Sequence, residues 1–81
     1  MTVTHYVALP FIRAQDGTVV QGEAIECRNT GAAILRAELL SRIQGNVGAI
    51  AFSRTDDMGK LEDAVVLKRF GDVPNDMTML F

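Results

Sequence analysis

The chain has 81 residues, 48% of them hydrophobic, with eight basic and ten acidic side chains and a net charge of −2. At this size only about 60% of the unfolded surface is buried on folding, so a single domain with a thin core is expected, and a partner would add to its stability. The acidic balance argues against a surface that tracks nucleic-acid phosphates, and no run reaches the roughly 18 apolar residues of a membrane helix. The single Cys27 excludes an internal disulfide.

Residues 1–10 lack the basic start of a signal peptide, so the expected location is cytoplasmic. Val3, His5, Val7, Leu9 and Phe11 alternate with Thr2, Thr4, Tyr6, Ala8 and Pro10, the period-two pattern of a strand. Pro10 cannot donate to a ladder and marks an edge, a bulge or an outward position. Asp16 and Gly17 make a turn, and a second strand over residues 18–27 completes a hairpin. Gly22 in its middle suits a bulge or a close approach of the helix.

Residues 29–46 carry a helical period with signals at both ends. Asn29 or Thr30 can accept from first-turn amides, and Gly45 and Asn46 tolerate the conformation of a helix stop. Ala32, Ala33, Leu35, Leu39, Leu40 and Ile43 fall on one arc, which is the expected core face, while Glu38 and Arg42 stand four apart on the far side. Two residues break the pattern. Arg36 projects inside the apolar arc, either with its stem on apolar surface and its head in water, or paired with a carboxylate of the sheet or of another chain. Ile34 projects from the polar side.

Residues 47–54 read as a strand apolar on both faces, with Val47, Ala49 and Ala51 on one and Ile50 and Phe52 on the other. A turn holding Asp56, Asp57 and Gly59 leads to a fourth strand over residues 61–70, again apolar on both sides at residues 64–67. One helix covers one face only, so a second copy or the tail is expected to cover the reverse of the sheet. The tail, residues 71–81, ends in Met77, Met79, Leu80 and Phe81; it is expected to dock on the domain, residues 1–70, or on a partner.

The two hairpins echo one another: Ala8, Phe11, Arg13 and Gly17 match Ala49, Phe52, Arg54 and Gly59 in order. A duplication would place Arg13 and Arg54 at comparable strand ends, as solvated turn flanks or as an anion grip. His5 could meet Cys27, Glu23 and Glu26 of the adjacent strand, a weak basis for a metal site. No base and orienting group accompany Cys27 as a nucleophile, and its simpler role is a small buried side chain. No glycine-rich phosphate loop opens a helix.

The stretch AIAFSRTDDMGKLEDAVVLKRFGDVP, following AAILRAELLSRI, resembles a group of small bacterial proteins of about this length. That resemblance implies the same α+β domain and carries no activity. A fainter one is to the partial-RNase-H-like domain of small antitoxins, from which the chain departs in lacking the loop with Gly-Cys after the second strand.

The expected architecture is α+β in the order β-β-α-β-β, a four-stranded, mainly antiparallel sheet with one helix packed on one face. The expected function is a non-enzymatic protein-interaction module, homodimeric or bound to another protein through Ile34, Ile50, Phe52, Met77, Met79, Leu80 and Phe81. The alternatives are an antitoxin-like regulatory partner, or a small-ligand or anion-binding domain using His5, Arg13, Arg36 and Arg54. No catalytic residue, cofactor, metal or membrane contact is expected.

Overall fold

The computed structural model describes residues 2–61 and 64–73, Leu61 by its backbone alone. Strand β1 (Thr2–Arg13) is followed by the short strands β2 (Val19–Gln21) and β3 (Ile25–Cys27). Helix α1 (Thr30–Ser41), strand β4 (Asn46–Asp57), and strands β5 (Lys60–Leu61) and β6 (Val65–Gly71) complete the order. The fold is α+β and every strand pairing is antiparallel. Four strands undercount the sheet: among the described residues there are six strand segments, because both outer lanes are broken. Segments β2 and β3 lie in succession along one edge of β1, β4 along the other, and β5 and β6 along the far side of β4.

The break between β2 and β3 has a chemical cause. Pro10 accepts the Gly22 amide at its carbonyl, 2.8 Å away, so its missing N–H falls on that same side of β1 and leaves nothing to donate to the lane. A Cβ on Gly22 would sit 3.1 Å from the Pro10 ring, so the close approach is to this proline and not to the helix. At the first turn Gly17 has φ 91°, and Asp16 accepts from both the amide and the hydroxyl of Thr18. Those two bonds, the amide first, hold the Asp16 carboxyl below its ordinary range.

Helix α1 starts where expected, with Asn29 in extended conformation accepting from the Ala32 amide at 2.8 Å. It stops earlier, at Ser41. Arg42 closes the last turn, and Asn46 belongs to β4 while its side chain donates to the Leu40 carbonyl at 2.8 Å. The helix is also rotated from the expected orientation. Ala33, Ala37 and Leu40 face the sheet, packed on Ala8, Ala49 and Ala51, whereas Leu35, Leu39 and Ile43 lie outward, 59%, 49% and 53% exposed. Small side chains on both surfaces let the helix backbone come close to the strands, and close contact requires the alanine row to point inward. Ile34, expected on the polar side, is half-buried against the same alanine cluster.

The other face of the sheet carries the large side chains. Val7, Leu9, Phe11, Ile50 and Phe52 form one buried cluster, with Val19, Val47, Ala64 and Val73 packed against it. Residues 48–52 of β4 are buried on both faces, as the sequence implies, but Val47 packs with Ile50 and Phe52 and not, as expected, on the side of Ala49 and Ala51. Strand β6 is less buried, with Val65 59% exposed. Ala8 and Ala49 both end beneath the helix and Phe11 and Phe52 both end in the opposite cluster, so the hairpin echo corresponds to like positions on the central β1–β4 pair.

Candidate functional site

Two surface features stand out beyond what packing of the chain itself requires. The first is the outward row of α1. Leu35 and Leu39 are spaced by four residues on α1, a step that turns the helix by only about 40°, and the exposed Ile43 follows just past the helix end. That row continues into a groove of about 370 Å³ between the helix and the sheet edge, bordered by Ile25, Cys27, Ala32, Leu35 and Leu39, with Glu26, Arg28 and Arg36 at its rim. Segment β3 is the floor of this groove and, among the described residues, lies at the edge of the sheet with β1 on one side only. Along such an edge half of the backbone amides and carbonyls point away from the sheet.

The second feature is a hollow of about 340 Å³ on the opposite face, bordered by His5, Val7, Ala24, Glu26, Phe52 and Arg54. His5 and Arg54 are direct register partners on β1 and β4, and Glu26 stands across from Val7 on β3. His5 Nδ1 donates to the Glu26 carboxylate at 2.7 Å, a pair that gains Coulomb attraction when the imidazole is protonated. The Glu26 carboxylate therefore sits beside His5 and borders the same hollow as Arg54, which lowers the site's attraction for an added anion.

The structure scatters the four candidate binding residues. His5 and Arg54 meet. Arg13 lies eight residues along β1 from His5, roughly 26 Å at 3.3 Å per residue, and its guanidinium donates to the Gly17 carbonyl at 2.9 Å. Arg36 stands on the helix side of the sheet, exposed at the groove. A two-arginine grip is thus excluded by distance, and its bland counterpart, a turn flank, describes Arg13. Among the described residues no three His, Cys, Asp or Glu side chains gather as metal ligands. Cys27 is half-buried against the alanine cluster, its thiol 3.6 Å from the Ile25 carbonyl.

Of the expected interface residues, Ile50 and Phe52 have no exposed surface within the single chain and present nothing to a second copy. Met77, Met79, Leu80 and Phe81 lie outside the described residues. Hydrophobicity alone places this outward row in the core; the signal for the other orientation is the alanine pair at 33 and 37, matched to alanines 8, 49 and 51 of the strands. Glu38 and Arg42 do pair as their spacing implies, at 2.8 Å, and flank the row on its polar side.

No helix among the described residues is long and apolar enough to cross a membrane. Comparison with protein-family models, with curated proteins and with solved structures gives no match to this chain. Geometry alone therefore carries the functional reading.

Proposed function

We propose that this protein is a non-enzymatic interaction module that works as a homodimer, joined through the outward face of helix α1. The observation that carries the reading is the exposed pair Leu35 and Leu39 on a helix whose opposite side is already buried, extended by the exposed Ile43 just past the helix end. A helix apolar on two sides is characteristic of one covered on two sides. A second copy presents an identical row, and apolar rows are complementary to themselves.

The magnitudes set a limit on this surface. Covering three half-exposed Leu or Ile side chains contributes about 1 kcal/mol each, hence roughly 6 kcal/mol for the two copies together. Association costs about 4–15 kcal/mol in lost freedom, so the row supports only weak dimerisation unless neighbouring surface joins it.

Sedimentation equilibrium tests the reading. With the groove beside the row included in the contact, the chain is expected at twice its 8.8 kDa mass at tens of micromolar, and Leu39→Glu, at a half-exposed position that leaves the fold intact, is expected at the monomer mass. A wild-type monomer at high micromolar concentration overturns the proposal.

A further inference from the structure

The helix row alone is too small for an interface: three half-exposed side chains supply roughly 200 Å² per copy, against about 800 Å² per partner in a standard complex. The groove shows where the contact surface continues, since Leu35 and Leu39 share it with Ile25, Glu26, Cys27 and Arg28 of the open sheet edge. An occupant must therefore satisfy both an apolar row and a strand edge that is unpaired among the described residues. A second copy carries both, side by side, in the same arrangement.

We infer that the two copies pair edge to edge through β3, antiparallel about a two-fold axis through Cys27, so that Glu26 of each chain faces Arg28 of the other and the sheet runs continuously across the dimer. This deepens the proposed function and rests on it. The register follows from elimination. If both helices are to lie on the same side of a joined sheet, the axis must pass through a residue facing its own copy, because directly opposed residues of paired strands point to the same face. An axis through Glu26 sets two carboxylates against each other, which is destabilising. An axis through Ile25 leaves Glu26 opposite Ala24 and Cys27 opposite Glu23, with no charge compensated. An axis through Cys27 sets Glu26 opposite Arg28, the residue that follows β3 at the groove rim, which creates two opposite-charge pairs and brings the two Cys27 positions together. Glu26 keeps its bond to His5 through Oε1 and has a second carboxylate oxygen for the arginine.

Charge reversal at exposed positions tests the register. Glu26→Arg and Arg28→Glu each place like charges opposite one another twice per dimer, and the dissociation constant from sedimentation equilibrium is expected to rise about tenfold or more for each. The double variant Glu26→Arg, Arg28→Glu restores both pairs and is expected to return within about threefold of the wild type. Circular dichroism establishes that all three variants keep the fold. If the single variants dimerise like the wild type, or the double variant is as weak as either single one, the edge register is wrong even though Leu39→Glu still separates the copies. A wild-type monomer removes the register and the proposed function together.

Discussion

Gly48 and Gly71 face each other where β4 and β6 end their pairing. A Cβ on Gly48 would stand 2.5 Å from the carbonyl oxygen of Asp72 and 2.6 Å from that of Phe70. Both are backbone atoms, held by the Asp72 amide's bond to the Val47 carbonyl at 2.9 Å, so neither can swing aside as a side chain would. Gly71 adds a φ of 71° and a would-be Cβ contact of 2.6 Å to the Val47 carbonyl. Gly48→Ala is accordingly expected to destabilise the chain by about 2–4 kcal/mol, as overpacking against fixed backbone does. The check is a urea midpoint that falls without a change in the slope of the transition; a loss under about 0.5 kcal/mol would show that this end of the sheet opens freely.

Helix α1 is where composition and geometry disagree most. With Ala33 and Ala37 against Ala8, Ala49 and Ala51, there is no room for a longer side chain. In the monomeric Leu39→Glu background, Ala37→Leu is expected to cost about 1–3 kcal/mol, whereas Leu35→Ala is expected to cost under about 1 kcal/mol because Leu35 is mostly exposed. Thermal or urea unfolding reads both, and the reverse ranking would mean that the leucine row faces inward. The sequence made the α+β plan legible: alternation along β1, the Asp16–Gly17 turn, the Asn29 cap and the two-sided burial of β4 are local patterns with local causes. The rotation of α1 was not legible, because hydrophobic periodicity weighs leucine above alanine while the fit between helix and sheet depends on volume. The division of the outer lanes is half legible, since Pro10 and Gly22 each signal an irregularity but their pairing across two strands is a tertiary fact. The site suffered in the same way. His5 and Arg54 could be named from their residue types, but the register that joins them and separates Arg13 and Arg36 depends on strand order.

At the scale of the molecule, the two faces of the sheet are unequal. The helix side is sealed by alanines, which bury little apolar area each, and Phe11, Ile50, Phe52, Leu9 and Val7 concentrate the large buried side chains on the reverse. Apolar burial stabilises in proportion to area, so the helix is held to the sheet by less area than its length could supply, and a contact on its outer row adds directly to the stability of the folded chain. Dimerisation and folding are then linked by mass action, since a partner that binds only the folded form raises the apparent stability. With an unfolding enthalpy of about 0.7 kcal/mol per residue, coupled unfolding and dissociation should raise the melting temperature by at most about 4 °C for each tenfold increase in protein concentration. Calorimetric or fluorescence melts from 1 to 100 µM should show that slope in the wild type and lose it in Leu39→Glu. A wild-type melting temperature independent of concentration would mean that the outer row contributes nothing to the fold, and that its leucines are exposed without a structural purpose.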